Sequence, residues 1–454
     1  MILLSVTKFT RTMRNIFLAI ALISSIDLSA QDSTVTVKTE IIRKREVDSN
    51  LVFNYTSSSI NSLFNESIRS GASNRITVDF DYAANSSNAP MGLVYALLFR
   101  KDITTAMKER VDNNIKSSLK FEDYMKTGLT YRHYFKKWDG EVFFNYSHRQ
   151  MRNVIASKET FQLLFYGNAR FAGTTTDLSN LRVQNIIYNQ YTGGVKKKID
   201  YGKYQMDVGV GLSFLQVINQ QDISTKQTSV YTAVDGDTIR INYDLTFNAA
   251  REGANTFFQR NGVGGSGDFH LGFMDKSNWK LNIDVTDVGY MMFRAAPVNY
   301  NGAKTIEFRG IVIPNLLNFS SATFDTLNLD SAVRSYLPTK SNNQYSLFYP
   351  FSASVTFSKS LMHEKLVLTF GLQYRNLPKY YAYGYMKANY FIKPDMVFSV
   401  TGGAGGYSWF NLGVEFAKRW KYFDLTLGTS NLLGTVIPSH YTGTGIYMRL
   451  GSSF

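Results

Sequence analysis

The sequence contains no cysteine and only 8 prolines. Without cysteine, the chain cannot form a disulfide framework, a thiolate metal site, a cysteine nucleophile or a lipidated amino-terminal cysteine. After residue 30 it also lacks the run of roughly 20 apolar residues that a spanning helix needs. It has instead 29 tyrosines and 33 phenylalanines, an enrichment that favours β-strands and membrane interfaces. An exported chain of this kind is either free in solution or embedded as a β-barrel.

The formal net charge is +14, but lysine and arginine are scattered, and their dense runs are limited to residues 43–45 and 196–198. No basic helix is evident, so the charge does not indicate a nucleic-acid partner. The simplest interpretation is a charged rim on a soluble or membrane protein. A positive exterior would also fit contact with outer-membrane lipid and anionic lipopolysaccharide.

The amino terminus has the pattern of a secretory signal peptide. Basic residues precede a short apolar core at residues 16–23, and small residues lead to a cleavage point after Ala30. We therefore predict residues 1–30 as a signal peptide. Residues 1–12 are a candidate extension, because Met13 begins a more ordinary signal.

From Asn74 onward, apolar and polar residues alternate through most of the chain. Several alternating segments reach the length of about nine to eleven residues that a spanning strand needs, whereas strands of soluble proteins average about five or six. We predict an all-β fold, a transmembrane antiparallel β-barrel of about 14–16 strands over residues 74–454, with a short amino-terminal segment and one or two small helices. The clearest segments are residues 76–82, 204–214, 239–247, 279–285, 351–357, 366–374, 410–416 and 423–427.

The last strand, residues 443–454, places Ile446, Met448, Leu450 and Phe454 on one face. Taken alone, it could equally be an edge strand of a soluble β-sandwich. A terminal phenylalanine after such alternation resembles the signal that the barrel-assembly machinery recognises. This resemblance implies that Phe454 is an assembly signal.

Turn lengths give the predicted barrel a direction. If Phe454 lies on the periplasmic side, the short turns at residues 276–278, 362–364, 393–395 and 419–421 fall at the same end. The longer stretches 250–266 and 295–346 then fall at the opposite end. Short periplasmic turns and longer outer loops are typical of outer-membrane barrels.

Three segments depart from the strand rhythm. Ser157 is a candidate N-cap for a short helix over residues 157–166 at the barrel mouth. Residues 31–73 form a predicted amino-terminal segment, either a plug in the lumen or a partly ordered periplasmic leader, since their apolar residues have helical spacing at Ile60, Leu63, Phe64 and Ile68. The predicted outer loop 295–346 carries an unusual number of apolar residues, namely Ile311, Ile313, Leu316, Leu317 and Phe319.

We predict no catalytic, cofactor-binding or metal site. The 5 histidines are dispersed, and Ser147 and His148 point to opposite faces of a strand, so they cannot form a nucleophile and base pair. Asp284 and Asp287, three residues apart, are also expected on opposite faces. The polar faces of the strands instead predict charges that face the lumen, where they tune selectivity or are simply solvated or paired. These candidates are Asp79, Asp81, Asp207, Asp244, Glu415, Asp424 and Arg449.

At residues 161–173 (FQLLFYGNARFAG), 282–290 (NIDVTDVGY) and 430–434 (SNLLG), the chain resembles a family of Bacteroidota outer-membrane barrels of unknown function. That family is distantly similar to the FadL fatty-acid transporters and to PorV of type IX secretion. The resemblance implies the outer membrane of a Gram-negative bacterium. The chain has no Asn-Pro-Ala hatch motif near the mature amino terminus, which argues against direct fatty-acid transport.

The leading hypothesis for function is passive uptake of a small hydrophobic molecule, with the 295–346 loop and the 157–166 helix forming a hatch. The alternative is a barrel that does not transport, and that serves as a scaffold for protein secretion or surface-protein attachment with a secretion-system partner. An outer-membrane hydrolase would need converging catalytic groups, and the sequence shows none.

Overall fold

The computed structural model describes Leu63, Phe64, Ile68 and residues 71–250, 260–275, 279–294, 296–309, 338–362 and 365–454. The predicted signal peptide and most of the predicted plug segment lie outside the described residues. So do the turn at residues 276–278 and the apolar residues of the predicted hatch loop, Ile311, Ile313, Leu316, Leu317 and Phe319.

Strands dominate the described chain. In chain order they are β1 (Asn74–Ser86), β2 (Ser118–Phe135), β3 (Gly140–Ser157), β4 (Thr175–Asp177), β5 (Arg182–Tyr201), β6 (Tyr204–Thr232), β7 (Thr238–Ala249), β8 (Gly262–Asp275), β9 (Trp279–Phe293), β10 (Val298–Arg309), β11 (Lys340–Ser341), β12 (Tyr345–Phe348), β13 (Ser352–Leu361), β14 (Leu366–Arg375), β15 (Tyr381–Lys393), β16 (Met396–Gly406), β17 (Ser408–Arg419), β18 (Phe423–Thr429) and β19 (Gly443–Ser453).

Fourteen of these strands close into an antiparallel barrel. Going round the wall, the order is β1, β2, β3, β5, β6, β8, β9, β13, β14, β15, β16, β17, β18 and β19. The last strand pairs with the first from Arg75↔Ser453 to Asn85↔Gly443, and this ladder closes the wall. A closed barrel leaves no sheet edge unpaired, as a membrane requires. The predicted barrel fold is confirmed.

The described helices are α1 (Met91–Leu98), α2 (Thr105–Asn114), α3 (Lys158–Tyr166) and α4 (Leu432–Val436). The helix predicted at residues 157–166 is confirmed as α3, where the Ser157 hydroxyl accepts from the Thr160 amide at 3.0 Å and Gly167 ends the helix with φ of 80°. Four helices are more than the one or two expected, because α1 and α2 themselves have only weak amphipathic periodicity. None of the described helices is long and apolar enough to cross a membrane.

The barrel buries its polar face. Along β1, Asp79 and Asp81 are each 2% exposed, while Ile76 is 40% and Val78 is 47% exposed. A soluble antiparallel sheet shows the reverse pattern, with its apolar face packed on a core and its polar face in water. Charged side chains inside and apolar side chains outside are the arrangement of a transmembrane barrel, where the exterior meets lipid.

The two ends of the barrel differ. The described turns between β2 and β3, β5 and β6, β15 and β16, and β17 and β18 are short and lie at one end. Phe454 lies at that same end, where its carbonyl accepts from the Asn74 amide at 2.9 Å. We call this the turn end. The opposite end, the loop end, carries all the described helices, and this difference in turn length agrees with the predicted direction.

At the loop end, β6 continues beyond the barrel wall. Its first part pairs with β8, and its residues 221–232 pair with β7 instead. Strands β7 and β10 form the next ladder, β11 follows β10, and β4 pairs with β6 on the other side. We call these strands the outer sheet. The stretch 295–346, predicted as one long loop, therefore contains β10, β11 and the first half of β12.

The barrel wall is irregular between β17 and β19. Strand β18 is short, and its pairing with β17 ends at Val414↔Thr429. Helix α4 lies beside the remaining parts of β17 and β19, and a Cβ atom on Gly434 would lie 1.6 Å from the Gly443 carbonyl oxygen. Only glycine lets the helix approach the strand this closely.

Candidate functional site

The interior of the barrel contains many charged side chains, and many of them form ion pairs. Burying a charge without a partner is costly, so pairing is what allows this interior to form. In six of these pairs the nearest nitrogen and oxygen atoms are 2.7 Å apart for Arg75–Asp424, 2.9 Å for Lys126–Asp79, 2.8 Å for Arg132–Glu141, 2.8 Å for Arg149–Asp287, 2.9 Å for Arg375–Glu122 and 3.0 Å for Lys387–Glu415.

The structure places all but one of the predicted lumen charges on the barrel wall with their side chains buried. These are Asp79, Asp81, Asp207, Glu415, Asp424 and Arg449. Asp244 differs, because it lies on β7 in the outer sheet and is only half-buried. Residues 238–249 alternate just as a wall strand does, so periodicity could not separate the outer sheet from the barrel.

Near the turn end, Asp424 joins two arginines from neighbouring strands. Arg75 donates to both of its carboxylate oxygens, at 2.7 and 2.9 Å. The Arg449 guanidinium lies 3.8 Å from the same carboxylate. A bidentate arginine–carboxylate pair fixes both side chains. Asp424 is therefore an ion-pair partner of Arg449, which the sequence alone does not identify.

A second group lies on β15, β17 and β19. The Lys387 ammonium donates to both carboxylate oxygens of Glu415 at 3.0 Å, and the Tyr447 hydroxyl donates to one of them at 2.8 Å. Lys387 is fully buried and Glu415 is 2% exposed. Glu415 is one of the predicted lumen charges, whereas Lys387 and Tyr447 were not predicted. Their position on the inner face of alternating strands was the signal that could have identified them.

Two residues of the predicted plug segment lie in the lumen. Phe64 is fully buried, with its ring edge-on to Phe143 at 5.3 Å and stacked on His270 at 5.4 Å between centroids. Lys196 donates to the Phe64 carbonyl at 2.7 Å, and Arg132 donates to the Leu63 carbonyl. We call Leu63 and Phe64 the lumen latch. The extent of the plug beyond them stays a prediction.

The wall is shaped to receive the latch. A Cβ atom on Gly209 would lie 2.4 Å from Phe64, and a Cβ atom on Gly194 would lie 2.2 Å from Phe143. Any larger side chain at either position would collide with these rings. The two glycines therefore make the space in which the two phenylalanine rings pack.

Asp284 and Asp287 do not lie on opposite faces as predicted. Both are buried, with Asp284 2.7 Å from the His270 ring and Asp287 2.8 Å from Arg149. The reason is local: Asp287 has φ of 65°, next to a register shift opposite Asp268. Such a bulge turns a side chain to the other face of a strand. The two carboxylates have separate partners and do not form an acid pair.

Little open space remains around these groups. A cavity of about 30 Å³ lies beside the lumen latch, where Lys126, Arg149, Asp287 and Arg375 contribute to its lining. A space of this size holds water rather than a solute. Around the latch, the described side chains are therefore closely packed.

The loop end carries an apolar cap. Helices α1, α2 and α3 share a buried cluster that includes Leu93, Val111, Phe161 and Phe165. Beside it is a pocket of about 90 Å³, which we call the cap pocket. It is lined by Pro90, Gly92, Leu93, Ala106, Met107, Arg110 and Ser439.

The sequence also predicted that Ser147 and His148 do not form a catalytic pair and that there is no metal site. Ser147 is fully buried, whereas the His148 ring contacts the Asn189 amide oxygen at 2.9 Å. In the described ranges, no group of three or more histidine and carboxylate side chains could hold a metal ion.

Apolar exterior, paired charges inside and a closed strand ladder together define a transmembrane β-barrel with a charged lumen. The chain belongs to the DUF5723 family, a family of unknown function, which it matches over residues 72–430. No curated protein matches the sequence. The predicted membership of a barrel family of unknown function is confirmed, whereas the link to Bacteroidota and to PorV stays a prediction.

The chain is similar at low identity to solved structures of toluene transporters and of a FadL homologue. The Pseudomonas putida toluene transporter TodX is 8% identical with a TM-score of 0.41, over 84% of this chain and 90% of that one. The Ralstonia pickettii toluene transporter TbuX is 8% identical with a TM-score of 0.39, over 85% and 90%. A Pseudomonas aeruginosa FadL homologue is 7% identical with a TM-score of 0.38, over 89% and 95%. Similarity this low carries no information about substrate.

Proposed function

We propose that this chain is an outer-membrane β-barrel for passive uptake of a small hydrophobic molecule, which first binds in the cap pocket. The observation that carries the proposal is the position of that pocket. It is an apolar site at the loop end of a barrel whose lumen is otherwise charged. The same proposal includes export by the predicted signal peptide, insertion through the terminal Phe454, and contact with lipopolysaccharide at the loop end.

The cap pocket suits a small ligand. Leu93, Met107, Ala106 and Pro90 supply apolar surface, and the Arg110 guanidinium is held at the rim by the Ser439 carbonyl at 2.5 Å. An engineered apolar cavity of about 150 Å³ binds benzene. The cap pocket, at about 90 Å³, would therefore take one small ring or the end of a short chain, with the remainder of the ligand in the opening.

Uptake also requires an opening below the cap, because ion pairs and Phe64 are closely packed in the lumen at this level. The latch is the element whose release would make space with least damage to the wall. The latch is held by hydrogen bonds from Arg132 and Lys196 to its own backbone carbonyls and by ring contacts of Phe64. The ion pairs, in contrast, join strands of the wall itself. In this proposal the structure is the resting state, and ligand passage follows latch release.

Filling the cap pocket tests this function. Ala106→Phe places a ring in the pocket and is expected to lower the initial rate of uptake of radiolabelled naphthalene about tenfold, the change that about 1.4 kcal/mol of lost binding produces. Uptake is measured in cells that carry the protein in an intact outer membrane, relative to cells that lack it. Ala169→Phe is the matched control, since Ala169 is also exposed at the loop end but does not line the pocket.

Equal uptake by Ala106→Phe and wild type would contradict entry through the cap pocket. Equal uptake by cells with and without the wild-type protein would contradict the transport proposal itself. The Ala169→Phe control separates both results from a general loss of folding or export.

The close packing around the latch favours a second candidate, a scaffold for secretion or surface-protein attachment that does not transport. The outer sheet, which projects beyond the wall at the loop end, would then be the surface for a secretion-system partner. Such a scaffold would show no naphthalene uptake and would be recovered with a stable partner after crosslinking in native membranes. Purification from those membranes as a partner-free monomer would count against it.

A further inference from the structure

The outer sheet has one apolar face and one polar face. On the apolar face, Ile239 and Val230 are buried against Leu178, with Leu163 of α3 packed beside them. Residues directly opposite each other in an antiparallel ladder share a face. The polar face therefore carries the opposed pairs of β7 and β10, which are Arg240↔Glu307, Asn242↔Thr305, Asp244↔Ala303 and Thr246↔Asn301.

A groove of about 490 Å³ crosses the polar face. One register row runs through it across four strands, from Asp177 to Ser229, Asn242 and Thr305. We call it the outer groove. A bulge in β6 between Thr225 and Thr228 adds Gln227 to its lining.

The row is ordered by its own hydrogen bonds. The Thr305 hydroxyl donates to the Asn242 amide oxygen at 2.8 Å, and the Asn242 amide nitrogen donates to the Ser229 hydroxyl at 3.4 Å. At the β4 edge, the Ser179 amide donates to the Asp177 carboxylate at 2.8 Å. These contacts hold the polar groups in place without filling the groove, since Ala303 opposite Asp244 leaves room on the floor.

Most of the described lining side chains carry hydrogen-bond donors or acceptors, and Tyr243 adds an aromatic ring. Hydroxyls come from threonine and serine, amides from Gln227 and Asn242, and Ala303 is the one aliphatic side chain among the described lining residues. The hydroxyl oxygen of Thr228 is buried and has no hydrogen-bond partner in the described part of the chain. A ligand rich in hydroxyl groups matches such a surface, because each hydroxyl both donates and accepts.

The charge of the groove favours a neutral ligand over an anionic one. Among the described lining residues, Asp177 and Asp244 supply two carboxylates and Lys304 the one ammonium. Lys304 lies opposite Tyr243 in the ladder, so its side chain alternates away from the row of Asn242 and Thr305. Hydrogen bonds from Ser179 lower the pKa of Asp177, so this group is an acceptor at neutral pH. A polyanionic ligand would meet net negative charge and be repelled, while a neutral sugar can donate its hydroxyls to both carboxylates.

We propose that the outer groove binds a neutral oligosaccharide at the loop end of the barrel. The site is separate from the cap pocket and from the lumen, so it is independent of the proposed uptake. It would give the barrel a surface for a neutral glycan chain outside the membrane.

Calorimetric titration of the full-length protein in detergent tests the groove. The probes are maltohexaose, mannohexaose and xylohexaose as neutral chains, and hexagalacturonate as an anionic chain of equal length. We expect binding of at least one neutral chain, with hexagalacturonate at least about tenfold weaker. Asn242→Ala, which removes the central amide of the row, is expected to weaken that binding about tenfold.

Asn301→Ala is the matched control. Asn301 is an exposed amide on the same face, two ladder positions beyond Ala303 of the groove, where it accepts from the Thr246 hydroxyl at 3.3 Å. It is expected to bind the neutral chain as wild type does. Absence of binding by all three neutral chains, equal losses in the two variants, or tighter binding of hexagalacturonate would each overturn the proposal.

Discussion

Replacing Glu415 by alanine is expected to lower the free energy of unfolding by about 3–5 kcal/mol, the cost of removing one partner from a buried ion pair. The Lys387 ammonium would remain in the interior without the two oxygens it now contacts at 3.0 Å. The Tyr447 hydroxyl would lose its acceptor as well. The measurement is urea-dependent unfolding of the barrel in lipid vesicles, followed by tryptophan fluorescence.

Two comparisons show whether burial of the ion pair causes the loss of stability in Glu415→Ala. Glu307→Ala removes the carboxylate of a solvent-exposed pair with Arg240, and is expected to cost less than about 1 kcal/mol. The double variant Lys387→Met with Glu415→Leu replaces the buried pair by apolar side chains, and is expected to recover most of the loss. If Glu415→Ala cost no more than Glu307→Ala, the lumen would be open to water at this level, contrary to the structure.

Phe64→Ala is expected to raise the ion conductance of the reconstituted barrel. The phenylalanine side chain is fully buried between Phe143 and His270, and burial of such a ring contributes up to about 3 kcal/mol. Losing it would shift the balance between docked and released latch by up to roughly a hundredfold. Planar-bilayer recordings are expected to show frequent openings that the wild type lacks.

Phe64→Leu is the control, because leucine keeps most of the apolar volume and is expected to stay closed. Gly209→Val changes the wall side of the same contact, because the valine side chain would collide with the Phe64 ring. This variant is expected to open the lumen as Phe64→Ala does. Gly193→Val serves as its control, since nothing lies within 4 Å of a Cβ atom there. Unchanged conductance in both Phe64→Ala and Gly209→Val would show that the latch does not close the lumen.

Strand alternation predicted the architecture because the two faces of a membrane barrel meet opposite environments. The fourteen wall strands lie within the predicted range, and the inner position of Asp79 or Glu415 follows from the same period of two. Alternation says nothing about which strands are neighbours. Asp244 shows the limit, since β7 has the pattern of a wall strand but pairs with β10 outside the barrel.

Individual contacts depend on backbone details that one sequence does not reveal. Asp287 faces the lumen because its φ is 65° beside a bulge, and Arg449 reaches Asp424 across adjacent strands. The latch was visible only as helical spacing at Leu63 and Phe64. That spacing did not indicate that the absence of a side chain at Gly209 leaves space for the Phe64 ring.

The short motifs that carried the family resemblance include glycines at close approaches or turns. In residues 282–290, a Cβ atom on Gly289 would lie 2.0 Å from the Gly265 carbonyl oxygen. Gly434 in residues 430–434 is just as close to Gly443, and Gly173 in residues 161–173 has φ of 77°. These positions specify backbone packing, which explains why the resemblance predicted the fold without a substrate.

The most direct test of the central claim is the migration on gels of the full chain from the outer-membrane fraction, before and after boiling. A closed transmembrane barrel is expected in that fraction and is expected to migrate faster unheated, because the folded wall stays compact in detergent. Recovery of the chain as soluble protein, with the same migration before and after boiling, would contradict the barrel.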